Sequence, residues 1–359
     1  MRSNNYKSIR KHAGLAVSVL LMASGAAFAQ QTVNLSVGPA TATQPDGTAV
    51  PMWGYTCGTA VALSTATCAA LNPAVQTFNT NPATPVASVG SLWSPVVITV
   101  PTGQDLTISL TNNLTFAGGN IPTSLVIVGQ LGGGLGTTAT SAASPDHTNA
   151  QPLTWPIAGD AAGAPVTGVG TPPVQGNRVQ SFSTEVVATG VTPVPPQVAS
   201  GSALCWGLTC TTPSPALKPG TYLIESGTHP SIQGPMGLYG ILVVTTAPSG
   251  AIAGTAYGTG ATAVTYSADL PLLLSEIDPV QNLAVSKAVG TVGFSETKVW
   301  SGLYGGCGNP VSANGSANAA YQTCYPPAVN YTPLYYLVNG QAFDKTHAPN
   351  SVFAATAGG

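Results

Sequence analysis

The chain has 359 residues, 9 basic and 11 acidic, so 6% are charged, against roughly a quarter in an ordinary soluble protein. Apolar residues make up 44%, enough for a core, and the formal charge of −2 excludes disorder driven by high net charge and nucleic-acid binding through a basic patch. Glycine (42) and proline (31) fall below the share expected of a low-complexity chain, and the length suits two domains.

In chain order, the first element is a secretory signal. Arg2, Lys7, Arg10 and Lys11 form a basic start, residues 13–22 an apolar run, and Ala27-Phe28-Ala29 a cleavage site. The run falls short of the ~20 apolar residues of a membrane span, and no later stretch is long enough and apolar enough to cross a bilayer. Cleavage after residue 29 leaves five basic residues (Arg178, Lys218, Lys287, Lys298 and Lys345) against eleven acidic ones, a net charge of −6. The chain is expected to be exported, to the periplasm or outside the cell, with no transmembrane segment after cleavage.

Beyond the signal the dominant period is two. Residues 33–37 (VNLSV) and 106–111 (LTISLT) alternate, and 96–100 (VVITV) is a β-branched run. Residues 124–128 (SLVIV) and 241–244 (ILVV) have the look of buried strands. Pro101-Thr102-Gly103, Asn112-Asn113 and Lys218-Pro219-Gly220 punctuate them as turns. The segments 132–176 and 186–219, rich in small residues or prolines, are expected to be surface loops. A composition shift near Pro248-Ser249-Gly250 marks a domain boundary, and no window supports a long amphipathic helix. Short strands with Gly/Pro punctuation predict an all-β sandwich or barrel.

All six cysteines follow the signal, as expected in an oxidising compartment. Six cysteines allow 15 pairings. The local pairs Cys57/Cys68, Cys205/Cys210 and Cys307/Cys324 are expected, because each sits in a loop that closes easily. The chain has no Cys-x-x-Cys, and no histidine neighbours a cysteine, which argues against zinc held by these cysteines.

Four segments in order resemble the multicopper oxidases. VVITVPTGQDLTISLTNNL (96–114) resembles the early strand pair of their first cupredoxin (plastocyanin-like) domain. IPTSLVIVGQ (121–130) stands where the family has a strand carrying His-x-His-Gly. PGTYLIESGTHPSIQGPMGLYGILVV (219–244) resembles the family's Gly-Thr-Tyr-Trp-Tyr-His-Ser-His stretch and the Gly-Leu-Tyr-Gly strand behind it, the most specific part of the match. Residues 272–276 and YLVNGQAF (336–343) resemble the opening of a second cupredoxin domain. The resemblance covers most of the chain after the signal and is closest in style to large bacterial manganese-oxidase-type members. It implies a Greek-key cupredoxin-like β-sandwich: one full domain with loop insertions (30–250) and the start of a second (251–359), expected to be incomplete by its strand order.

The family's chemistry needs imidazoles. Residues i and i+2 of a strand share a face, so a His-x-His pair presents two nitrogens to a copper cluster. Here the first pair falls on Val126 and Val128, the second on Glu225 and Gly227. The two valines are expected to face inward and make an apolar, dry spot. After the signal only His147, His229 and His347 are left, too few for the eight trinuclear positions. Copper is thus expected for the complete family enzyme and not for this chain alone. Glu225 and His229, four apart, are the remnant metal candidates. Asp146-His147 lacks a nucleophile motif, His347 is expected to be solvated, and Asp269, Glu276 and Asp278 are expected to be loop acids at a strand end. The scattered tryptophans are expected to anchor a core.

The expectation is an exported protein of this family, the ligand-poor N-terminal part of a copper-dependent oxidase of Mn(II) or phenols. The segment would act as a scaffold packed on C-terminal cupredoxin domains of the same or a partner chain, with no nucleic-acid partner. The alternative is a copper-free structural or binding module of the cell envelope, and a weaker one is a carbohydrate-binding module.

Overall fold

A computed structural model describes residues 30–72, 75, 92–134, 141–142, 178–179, 184–210, 215–300, 311, 314–318 and 322–343. The expected signal, His147, His347, Cys307, Trp155 and most of 132–176 lie outside the described residues.

Nine strands make two facing sheets: β1 (Gln30–Thr43), β2 (Ala49–Cys57), β3 (Thr67–Ala70), β4 (Val96–Pro101), β5 (Asp105–Asn112), β6 (Val126–Ile127), β7 (Ser202–Trp206), β8 (Gly220–Glu225) and β9 (Tyr239–Thr245). One sheet has the order β7-β5-β1-β2 and the other β3-β4-β9-β8-β6. The hairpin β1–β2 is antiparallel from Leu35↔Cys57 to Thr43↔Ala49. Each sheet also contains one parallel pair, β1 with β5 and β4 with β9. Strands distant in sequence are thus neighbours in space, the Greek-key feature of an all-β sandwich.

Alternation decides which side chains fill the interior. In β1, Gln31, Val33, Leu35 and Val37 are buried while the residues between them are partly exposed. Ile98 and Val100 of β4 and Leu106, Ile108 and Leu110 of β5 are fully buried. These residues share one core cluster with Tyr55, Leu204, Trp206, Ile224 and Leu242, so both sheets contribute to it. The Cys57–Cys68 bond joins β2 of one sheet to β3 of the other. The Cys205–Cys210 bond closes the turn after β7. Cys324 is also disulfide-bonded, and its expected partner, Cys307, is outside the described residues.

Two expectations need correction. The segment 186–219 is not all surface loop, because it contains β7, an edge strand whose Leu204 and Trp206 are buried. Its alternation is short and is masked by the surrounding prolines. The segment 124–128 forms only a two-residue strand, with Leu125 and Ile127 as its core-facing residues. Val126 is partly exposed and Val128 is 45% exposed, so the two valines do not face inward. The period of two assigns the buried face to the odd neighbours.

After β9 come the ribbon β10 (Gly254–Tyr257)/β11 (Val264–Tyr266), β12 (Leu274–Ile277), helix α2 (Pro279–Val289), β13 (Ser295–Val299), β14 (Cys324–Tyr325), β15 (Tyr335–Val338) and β16 (Gln341–Ala342); α1 is the single turn Pro230–Gln233. Strands β12, β15 and β16 form a three-stranded sheet, and β13 pairs in parallel with β14. Helix α2 begins at Asp278, whose side chain accepts from the Val280 and Gln281 amides, with Pro279 in the first turn and Gly290 closing it. Its Val285 and Val289 enter the sandwich core, as does Tyr325. Asn282 donates from Nδ2 to the Pro51 carbonyl (3.1 Å). Ile277 and Leu337 pack with Ala42, Val50, Met52 and Trp93 in a second cluster. No helix among the described residues is long and apolar enough to cross a membrane.

Candidate functional site

Strands β6 and β8 bring the resemblance's two ligand pairs together. Glu225 lies directly opposite Val126, and Ile224 opposite Ile127. The Val128 amide continues the ladder to the Leu223 carbonyl (2.9 Å). The Gly227 amide donates to Ser124 Oγ (3.0 Å). All four positions therefore gather at one end of the second sheet, although they are about 100 residues apart in the chain.

The interior beside them is a hydrogen-bonded network of mostly neutral groups. Gln233, fully buried on α1, is its hub. Its Oε1 accepts from Thr123 Oγ1 (2.8 Å) and Ser226 Oγ (2.6 Å), and its Nε2 donates to the Pro122 carbonyl (2.8 Å). Thr228 Oγ1 lies 3.1 Å from both Ser124 Oγ and Glu185 Oε1. Gln197 Nε2 holds the other Glu185 oxygen at 3.1 Å. Tyr55 donates to the Ser124 carbonyl (3.2 Å). Burial, and then the negative charge of Glu225, push the Tyr55 phenol well above its usual range. These donors and acceptors are matched to one another, as buried polar groups must be to avoid a desolvation penalty.

Copper does not fit this place. Of Val126, Val128, Glu225 and Gly227, only Glu225 carries a donor group, and one carboxylate is no copper ligand set. Among the described residues no three His, Cys, Asp or Glu side chains gather as a metal-binding group.

The structure pairs His229 with a carboxylate other than Glu225: its Nε2 lies 3.4 Å from Glu296 Oε2 on β13. The imidazole also sits 5.6 Å from the Tyr325 ring, which meets Phe294 edge-on at 5.0 Å. The acidic trio has separate jobs. Asp278 caps α2 and also accepts from the Thr332 amide (2.7 Å), Glu276 lies on the outer face of β12, and Asp269 borders a groove of about 280 Å³ with Tyr257, Tyr266 and Leu270. Trp53, Trp93 and Trp206 are buried, which fits core anchoring.

The sequence left Asp105, Gln233, Glu296 and Tyr325 unremarked. Asp105 is buried and accepts from the Leu208 amide (3.0 Å), the Thr209 amide (2.7 Å) and Thr209 Oγ1 (2.6 Å), in the loop closed by Cys205–Cys210. Gly207 has a φ of +126° beside that carboxylate, where a side chain would collide with it. The partners of Asp105 lie over 100 residues away, so no local pattern announced them. The cap at Asp278 could have been found from Asp-Pro followed by a helix-length segment and glycine.

No protein-family model and no curated protein matches the chain. Among solved structures it is similar to a multicopper oxidase from Pseudomonas thermotolerans (12% identity, TM-score 0.27, 60% of this chain and 29% of that one). It is also similar to the multicopper oxidase mgLAC (13%, TM-score 0.26, 60% and 39%) and to Lac15 from a marine microbial metagenome (16%, TM-score 0.24, 59% and 31%). The alignments span less than two fifths of each of those chains.

Proposed function

We propose that the chain is an exported, non-catalytic scaffold: a cupredoxin-like sandwich (30–250) and part of a second (251–359), packed on ligand-bearing cupredoxin domains of a copper-dependent oxidase. The observation that carries this reading is the pairing of Val126 with Glu225 beside a self-satisfied Ser/Thr/Gln network. Such a network fixes the position of two strands and an adjacent turn, and its hydroxyl and amide groups are engaged with one another. A partner surface is available on the outer face of the β12–β15–β16 sheet. Leu274 is 74% exposed and Tyr336 is 68% exposed, with Leu272 and Phe343 exposed nearby. An apolar sheet face of this kind suits another β-layer.

The test uses the purified chain lacking residues 1–29, incubated with Cu(II) and assayed for oxidation of a phenol and of Mn(II). No turnover is expected, and turnover by this chain alone would overturn the reading. The natural coding region or its gene neighbourhood should also encode cupredoxin domains with His-x-His pairs. A second reading, a copper-free binding module of the envelope, is favoured by the groove between β9 and the β10/β11 ribbon, where Tyr257 is half exposed. Glycan binding lost in Tyr257→Ala would support it over the scaffold.

A further inference from the structure

Two distant stretches meet at His229. One is the loop that leads into α1, and the other is the β13/β14 ribbon. His229 has φ +41° and ψ +59°, the left-handed region that residues with a Cβ seldom adopt. Its Nε2 stands 3.4 Å from Glu296 Oε2, yet Glu296 Oε2 is buried and makes no hydrogen bond. The Tyr325 side chain is completely buried and its Oη also has no hydrogen-bond partner. His229 and Glu296 are therefore in contact, the Tyr325 ring lies 5.6 Å from the imidazole, and two buried oxygens, Glu296 Oε2 and Tyr325 Oη, lack the hydrogen bonds that buried oxygens normally have.

We propose that His229 Nε2, Glu296 Oε2 and Tyr325 Oη form a site for a divalent first-row transition-metal ion of the zinc class, which staples the α1 loop to the β13/β14 ribbon. The spacing agrees with this role. Two ligands each about 2.1 Å from a tetrahedral ion stand about 3.4 Å apart, the separation found between His229 and Glu296. Imidazole and oxygen donors suit Zn²⁺, and a three-residue set leaves a fourth position for water. That water has a route, because the His229 side chain is 36% exposed. The ion would give the two unpartnered oxygens their missing partner. Coordination by Tyr325 replaces its phenolic proton with the metal, and the proton leaves to solvent. Burial and the Glu296 charge otherwise hold that phenol in its neutral form. The site shares no residue with the Val126/Glu225 position and does not depend on the scaffold reading.

Equilibrium dialysis of the tag-free chain lacking residues 1–29 against Zn²⁺ is expected to show one ion per chain and a higher melting temperature. Titration calorimetry in two buffers should show proton release. Glu296→Gln and His229→Ala should abolish stoichiometric binding. Tyr325→Phe, which keeps the ring packing, should weaken it by about 10–100-fold and remove the proton release. Glu225→Gln should bind as the parent does. Circular dichroism checks that each variant is folded, and Glu296→Gln is the decisive variant because it preserves shape. Failure of the parent chain to bind Zn²⁺, or undiminished binding by Glu296→Gln, would overturn the proposal. Neither result touches the oxidase assay that tests the scaffold.

Discussion

Asp105 illustrates how much a single buried side chain can hold. Its carboxylate gathers two amides and a hydroxyl from the loop after β7, so removing it takes away the acceptor that all three share. Asp105→Ala is expected to lower the unfolding free energy by about 2–4 kcal/mol, read from urea denaturation. Gln233, on α1, plays the same part beside the second sheet. Gln233→Leu keeps the volume but removes the acceptor shared by Thr123 and Ser226 and the donor to the Pro122 carbonyl, and should cost about 2–4 kcal/mol. A substitution at Val128, 45% exposed, should by contrast change stability little. Neither Asp105 nor Gln233 stood out in the sequence, because the worth of a polar residue depends on which distant groups fold against it.

Among the elements, the strands were the most legible. The alternation over 33–37 and 106–111 and the β-branched run at 96–100 correspond to β1, β5 and β4, because a half-buried strand must alternate and a central one must be apolar. Strand β7 was hidden by the prolines on either side of it, and α2 by its weak amphipathic pattern. Asp278 anchors α2 and binds the Thr332 amide as well, so Asp278→Ala should cost about 1–2 kcal/mol and reduce the helical dichroism signal. The Cys57–Cys68 bond joins the two sheets across a sequence separation of 11. Replacing both cysteines with serine should cost about 2–3 kcal/mol, since the unfolded chain regains the entropy of that loop.

At the scale of the whole molecule, the buried tyrosines govern behaviour at high pH. Burial raises the phenols of Tyr55, Tyr239 and Tyr325 well above their usual range, with Glu225 adding to the first and Glu296 to the last. Tyr331 is pushed up to about 12 by burial, then by Glu276 and Asp278. Above about pH 10 the unfolded chain gives up phenolic protons that the folded chain keeps. Stability is therefore complete below pH 10 and declines as pH rises beyond it, by up to ~1.4 kcal/mol per pH unit for each of the three most buried tyrosines. An ultraviolet titration should show these tyrosines ionising only as the protein unfolds. Early, normal ionisation of all twelve tyrosines in the folded state would contradict this arrangement.

The sequence by itself determined the β period, the cysteine pairs at 57/68 and 205/210, and the absence of imidazoles at positions 126, 128, 225 and 227. Those features depend on residue identity and on neighbours a few positions away. Only the tertiary structure decided that Val126 faces Glu225, that Gln233 fills the space beside them, and that His229 meets Glu296 instead of Glu225. Each of these contacts joins segments that are distant in the chain and are brought together by strand pairing or packing, and hydrogen bonding and packing across such distances leave no periodic trace along the chain.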